Sequence, residues 1–271
     1  MLRKIISSVF FLMLAFPSLS MAFGTGISVH REDGIYTIKL PKTRKTAKHL
    51  SFAVTDDLMT VREFHKKTRS LLTVNGGFFD PKNKKTVSYV VSDGHTSADP
   101  IFNENLFADP LLKRNMDKIL NRSEFRVLEC FEGYEFEIVQ HKSPVDFQCH
   151  LLNSIQGGPL VYPKLQLEEE FFIMRDENGA IIRESASVLH RVARTIVALK
   201  DKEIYIILFG DEHPVTLQEV SEYCEEKGFD RAMALDGGGS TSMNYLDKME
   251  VVSKPENGQG RMVKSFLIYR K

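Results

Sequence analysis

Three consecutive glycines, Gly237, Gly238 and Gly239, directly follow the apolar run Ala232-Met233-Ala234-Leu235. Inside a strand or helix each glycine costs about 0.5–1 kcal/mol relative to alanine, so a regular element has to end at Leu235. The run reads as a strand that stops at a tight turn, with Asp236 before the glycines and Ser240, Thr241 and Ser242 after them. Such a turn leaves backbone N–H groups beside a carboxylate, which suits an anionic or polyhydroxylated ligand. It equally suits a structural bend in which Asp236 hydrogen-bonds its own loop.

The residues leading up to that turn carry their own signals. Residues 195–199 and 203–209 are β-rich apolar runs on either side of Lys200-Asp201-Lys202, the pattern of a hairpin. Thr216, with Glu219 three residues later, makes a capping box. Leu217, Val220 and Cys224 share one face of the helix that follows, and Gly228 stops it. Strand, helix and strand in this order predict a right-handed βαβ unit. Asp236 then lies at a strand's carboxyl end, where ligands of open α/β sheets gather. Asp211 ends the first strand of the unit and shares that rim if the two strands are neighbours.

The N-terminal half repeats this grammar. An apolar strand over residues 71–74 runs into Asn75-Gly76-Gly77-Phe78-Phe79-Asp80-Pro81, and a second over 87–91 closes at Ser92-Asp93-Gly94. Residues 99–122 read as a loosely apolar helix pair that packs on the body, in preference to a cover over a cleft. Ile155-Gln156-Gly157-Gly158-Pro159 supplies a third glycine turn. The expected fold class is α+β: mixed β-sheets with a βαβ unit in the C-terminal half and flanking helices.

Arg3 and Lys4, an apolar stretch to Leu19 and the small residues Ser20 and Ala22 read as an export signal over residues 1–22. That stretch is short of the about 20 residues a membrane span needs. We therefore expect a periplasmic or secreted protein without a stable span after signal removal, with an uncleaved anchor as the alternative. No linker or repeat divides residues 23–271, so a single domain is expected there. The whole chain has 36 basic and 36 acidic residues. Removing Arg3 and Lys4 leaves 34 against 36, a balance that gives no pull toward nucleic acid. In an oxidising compartment Cys130 and Cys149 are the candidates for a disulfide, leaving Cys224 buried on its helix. The cysteine spacings fit no zinc site.

Taken in order, the turn from Asn75 to Asp80, Gln156-Gly157-Gly158-Pro159, Arg191-x-x-Arg194-Thr195 and Asp236-Gly237-Gly238-Gly239-Ser240 resemble the phosphodiester glycosidase family. That family is typified by the enzyme that removes N-acetylglucosamine from phosphodiester-capped mannose. Gly260-Arg261-Met262-Val263 resembles its C-terminal arginine region. The likeness begins near residue 70. It departs at Ala198 and Leu199, where the family usually has a glycine, and in the elaboration over 99–122. The resemblance implies a mixed α+β fold and hydrolysis of the bond between a sugar's anomeric carbon and a phosphodiester oxygen, with no cofactor.

The phosphate of a phosphodiester leaves the anomeric carbon without much proton donation, so the chemistry needs donors aimed at the growing phosphate charge. Arg194 and Arg191 are the expected guanidinium forks, with Arg261 as a third contact. The sugar side, in most glycosidases, is met by paired carboxylates. Asp236 is the first candidate, as nucleophile, as the base that activates water, or as a holder of sugar hydroxyls. Asp80 or Asp211 is its expected partner. Asn75, Gly76, Gln156 and Gly157 are expected at the sugar. Gly237, Gly238, Gly239, Ser240 and Thr241 complete a phosphate cradle. Two other readings stay open: a non-catalytic binding protein for phosphorylated glycans, and a metal-dependent phosphodiesterase in which Asp80, Asp211 and Asp236 gather a hard cation. A nucleotide module is disfavoured, because the glycine turn has no following lysine and matches no Walker or dinucleotide fingerprint.

Overall fold

A computed structural model describes residues 19–23, 26–253 and 260–271. Most of the expected export signal lies outside these residues. Leu19–Phe23, at its end, forms an edge strand antiparallel to Ile27–Glu32.

Three sheets carry the molecule. The first has seven strands, in the spatial order Leu19–Phe23, Ile27–Glu32, Ile35–Pro41, Glu203–Phe209, Arg194–Lys200, Arg231–Ala234 and Leu160–Tyr162. The second has five, in the order Met249–Val252, Ser242–Tyr245, Leu72–Asn75, Val263–Tyr269 and Leu50–Met59. The third also has five, in the order His95–Ala98, Val90–Ser92, Cys149–Gln156, Ser123–Cys130 and Gly133–Gln140. Cys130 and Cys149 are register partners in the third sheet and are joined by a disulfide.

Alternation along the strands explains how the layers pack. Ile204, Ile206 and Leu208 face a core shared with Phe52, Val74 and Leu267 of the second sheet and Phe125 and Ile155 of the third. Ile207 and Phe209 point the other way, against Val220 and Cys224 of the Leu217–Glu226 helix. From Ile206 to Phe209 the strand is therefore buried on both faces, which is why it reads as a nearly unbroken apolar run. The helix begins as its sequence predicts: Thr216 caps it, and Thr216 and Glu219 close the reciprocal box. On the second sheet, the Val61–Thr68 helix lays Phe64 flat on Phe266, with ring centroids 4.0 Å apart.

The strands on either side of the Leu217–Glu226 helix lie in one sheet but are not neighbours, because Arg194–Lys200 lies between them and pairs antiparallel with both. The expectation of mixed sheets needs correction. Every described ladder is antiparallel, so the sheets are not mixed. The hairpin around Lys200-Asp201-Lys202 pairs its two strands with each other, Ile35–Pro41 takes the outer side of Glu203–Phe209, and the strand after the helix adds on the outer side of Arg194–Lys200.

Residues 99–122, expected as a helix pair, are broken into Pro100–Phe102, Glu104–Ala108, Pro110–Arg114 and Met116–Ile119. Asp99, Asn103 and Asp109 each accept a hydrogen bond from the turn they cap, and Pro100 and Pro110 follow two of them. Residues that compete so well for the backbone restart the helix every few positions.

Candidate functional site

The chain crosses from the first sheet to the second through Leu235–Thr241, between the strands Arg231–Ala234 and Ser242–Tyr245. Asn75 pins this crossing. Its Oδ1 accepts from the Thr195 hydroxyl at 2.8 Å and the Ser242 N–H at 3.1 Å, and its Nδ2 donates to the Asp236 carbonyl at 2.6 Å. The Asp236 N–H in turn donates to the Gly76 carbonyl at 3.1 Å, and Gly76 N–H to the Ser265 carbonyl at 2.8 Å. A Cβ on Gly76 would stand 2.5 Å from Ser265 Oγ, so only glycine lets these backbones approach. Asn75 is fully buried, and it holds Asp236 from behind instead of presenting an amide to a sugar.

The Asp236 side chain is half-buried at the mouth of this junction. Desolvation pushes its pKa up to about 6, against the opposing pull of the Ser240 hydroxyl, Arg261 and the Gly237 N–H. The Ser240 hydroxyl is near enough to exert that pull but falls short of a well-formed hydrogen bond, and it has no other partner. Arg261 is exposed, with its guanidinium 5.3 Å from the Phe79 ring centroid and no carboxylate paired with it among the described residues. A Cβ on Gly239 would lie 3.8 Å from Arg261 Cδ, which places this arginine along the glycine turn. The junction thus offers a carboxyl of raised pKa, a buried hydroxyl of unmet capacity and an available cation over an aromatic face.

The remaining candidates are occupied elsewhere. Arg194 is buried, and it donates from Nε to the Val215 carbonyl at 3.1 Å and from Nη2 to the Ser187 and His190 carbonyls at 2.8 and 2.6 Å. Its Nη1 lies beside Gly237, 3.8 Å from where a Cβ would be, so a two-pronged grip on phosphate is not available to it. Arg191 is exposed and paired with Glu219 of the helix cap. Asp80 Oδ1 accepts from the Lys82 N–H at 2.8 Å and Oδ2 from Asn105 Nδ2 at 2.7 Å, so this carboxylate ties its own turn to the Glu104–Ala108 helix.

Asp211 does lie at the same sheet rim as Asp236. Register partners Arg194↔Phe209 and Ile196↔Ala234 put both strand ends on one edge. The intervening strand nevertheless separates the two ends by on the order of 10 Å. Among the described residues, Asp80, Asp211 and Asp236 do not come close enough together to share one cation.

The Gln156 turn is a buttress. Gln156 Nε2 donates to the Leu120 and Arg122 carbonyls at 3.1 and 3.4 Å, and Gly157 N–H to the Ser123 carbonyl at 2.9 Å. A Cβ on Gly157 would stand 2.4 Å from the Ala234 carbonyl, just before the Asp236 turn. Thr241 is buried, with its hydroxyl 3.3 Å from Thr195 Oγ1, and the Gly238 N–H donates to the Ala193 carbonyl at 2.7 Å. Of the expected cradle, Asp236, Gly237 and Gly239 are half-buried, Arg261 is exposed, and Ser240 is buried beneath them.

Sequence reasoning missed Glu170. Buried in an acidic run, it accepts from Ser123 N–H and Oγ at 3.1 and 2.7 Å and from Leu160 N–H at 2.8 Å. The Phe171-Phe172 pair that follows was the available signal that the run turns inward. Arg122, 3.9 Å over the Phe172 ring, completes this layer behind the Gln156 turn.

The family model of phosphodiester glycosidases matches residues 68–270. A comparison with curated protein sequences gives no match. Among solved structures, the catalytic domain of zebrafish N-acetylglucosamine-1-phosphodiester alpha-N-acetylglucosaminidase, auto-inhibited by its pro-peptide, superposes with a TM-score of 0.62 at 15% identity. The alignment covers 94% of this chain and 81% of that one. A hypothetical protein from Synechocystis gives 0.62 at 13% identity, covering 94% of this chain and 64% of that one. A putative exported protein from Burkholderia pseudomallei K96243 gives 0.52 at 13%, covering 90% and 74%. At these identities the superpositions establish a shared fold.

Proposed function

This chain belongs to the phosphodiester glycosidase family, and from that premise we propose that it is an exported hydrolase of a sugar-1-phosphodiester, cleaving the glycosidic C–O bond with Asp236 as the reacting carboxyl. The observation that carries this reading is the half-buried Asp236 carboxyl, its pKa pushed up to about 6 by desolvation, with Arg261 alongside the glycine turn and without a carboxylate partner among the described residues. At neutral pH Asp236 is ionised, as a nucleophile or a base for water must be. Arg261 neutralises the departing phosphate monoester, which already is a weak base. Such a leaving group needs little proton donation, which leaves Asp80 free to serve its turn.

Residues 23–271 act as one domain in this reading, after removal of 1–22. Cleavage there would take most of the Leu19–Phe23 edge strand, so Ile27–Glu32 would become the edge of the first sheet.

The test uses a UDP-sugar in water enriched in oxygen-18. Hydrolysis at the anomeric carbon yields UDP and free sugar, with the label on the sugar. UMP and sugar 1-phosphate, with label on phosphate, would contradict the proposal. A second reading, a binding protein for phosphorylated glycans, is favoured by one observation: the expected second carboxylate, Asp80, is bonded away from Asp236. It predicts ligand binding that survives Asp236→Asn and no product at any incubation time.

A further inference from the structure

The Leu217–Glu226 helix leaves part of the first sheet's outer face uncovered. Between the end of that helix and the hairpin of Ile27–Glu32 and Ile35–Pro41 lies a cleft of about 480 Å³, within the roughly 300–1,000 Å³ of small-molecule sites. Ile35, Thr37 and Lys39 line its floor from alternate positions of one strand. From Ile35 to Lys39 that strand advances about 13 Å.

The two ends differ in chemistry. At the Ile35 end stand Glu32, Asp33 and His213. Among the described residues, the exposed Glu32 makes one ion pair, a 3.6 Å contact with His30, and the Asp33 carboxylate has no partner. At the Lys39 end stand two exposed lysines. Lys39 Nζ lies 5.4 Å over the Tyr205 ring and Lys227 Nζ 5.4 Å over the Tyr223 ring. Lys39 has no carboxylate partner among the described residues, and Lys227 has only its exposed neighbour Glu226, at 3.4 Å. The centre of the cleft is formed by Thr37, Tyr205 and Tyr223. Tyr205 is held edge-on by Phe229 with centroids 4.9 Å apart, so its ring is positioned in advance.

We propose that this cleft binds a short anionic saccharide, its acidic group between Lys39 and Lys227, its ring face on Tyr205 and its hydroxyls donating to Glu32 and Asp33. The bipolar lining selects this class. A simple anion would use the lysine end alone, and a cation would be repelled by it. A neutral sugar would leave both ammonium groups without a gain. The cleft shares no residue with the Asp236 junction, and the proposal stands whether or not hydrolysis occurs there.

Calorimetric titration of the full chain with trehalose 6-phosphate, trehalose and inorganic phosphate tests it. Trehalose 6-phosphate should bind at least about tenfold more tightly than either of the others, and the Lys39→Met/Lys227→Met double variant should lose about tenfold or more. Glu32→Gln/Asp33→Asn should weaken binding severalfold, while Asp236→Asn leaves it unchanged. All these positions other than Asp236 are exposed, and circular dichroism verifies their fold. Four outcomes would overturn the proposal: no binding of the probe, equal binding of phosphate alone, lysine variants that bind normally, or loss of binding in Asp236→Asn, which would put the probe at the other site.

Discussion

Two acids stand beside two glycine turns in this protein, and their surroundings diverge. Glu170, behind the Gln156 turn, is 1% exposed and accepts three hydrogen bonds, with the Arg122 cation nearby. Asp236 keeps partial access to solvent, and the hydroxyl beside it lacks a well-formed hydrogen bond. Burial raises the pKa of both. A raised pKa alone therefore does not mark a reactive group. What separates them is unmet hydrogen-bonding capacity at an open edge. Glu170 finishes a buried network, whereas Asp236 is half-buried beside a hydroxyl that has no hydrogen-bond partner.

The sharpest way to break this contrast is Asp236→Asn. Activity on the sugar-phosphodiester should fall by about 10²–10⁴-fold, while stability at neutral pH rises. The sign follows from linkage. Folding raises this pKa, so the native state retains a proton that the unfolded chain has already lost between the ordinary carboxylate range and about pH 6. The ionised carboxylate weakens the fold above about pH 6, and the weakening is gone below the ordinary range. Melting curves should show the variant above wild type at neutral pH and level with it in acid. The wild-type rate should climb with pH through about 6. A variant that is inactive but also less stable at neutral pH would remove the distinction between the two acids.

Arg261→Gln comes next. Losing a preorganised donor to developing phosphate charge should lower kcat/KM by about 10²–10³-fold, with the melting temperature unchanged because the side chain is exposed. Glu170→Gln should do the opposite. Its new NH₂ group would confront backbone N–H groups, costing about 1–3 kcal/mol in denaturant unfolding, while the folded fraction keeps full turnover. Arg191→Gln sets the lower bound. Its exposed pair with Glu219 should contribute less than about 1 kcal/mol, and steady-state rates should not move. A large loss of turnover on Arg191→Gln would return this arginine to the site.

The local rules served well where one segment satisfies its own needs. The Thr216 and Glu219 box, the Ser92-Asp93-Gly94 turn, with Asp93 and Gly94 at positive φ, and the hairpin around Asp201 are all where the sequence puts them. The pairing of Cys130 with Cys149 also formed. The sequence says less where a polar side chain has a choice of partner. Arg194, Asn75 and Gln156 are strong hydrogen-bonding residues beside glycine turns, and nothing local reveals which buried groups they bond. The helix pair over 99–122 failed for a different reason: its apolar residues suggested a helix period, while the capping residues between them were underweighted.

From the chain alone came the places where strands must stop, the family likeness and a carboxylate set against glycines at a strand end. Those follow from backbone sterics and near-neighbour hydrogen bonds, which a few consecutive residues settle among themselves. Only the folded molecule decided which of the clustered polar groups stay available. That depends on long-range competition for donors and acceptors: Val215, Ser187 and His190 carbonyls take Arg194, Asn105 takes Asp80, and the crossing between two sheets leaves Asp236 and Arg261 facing outward.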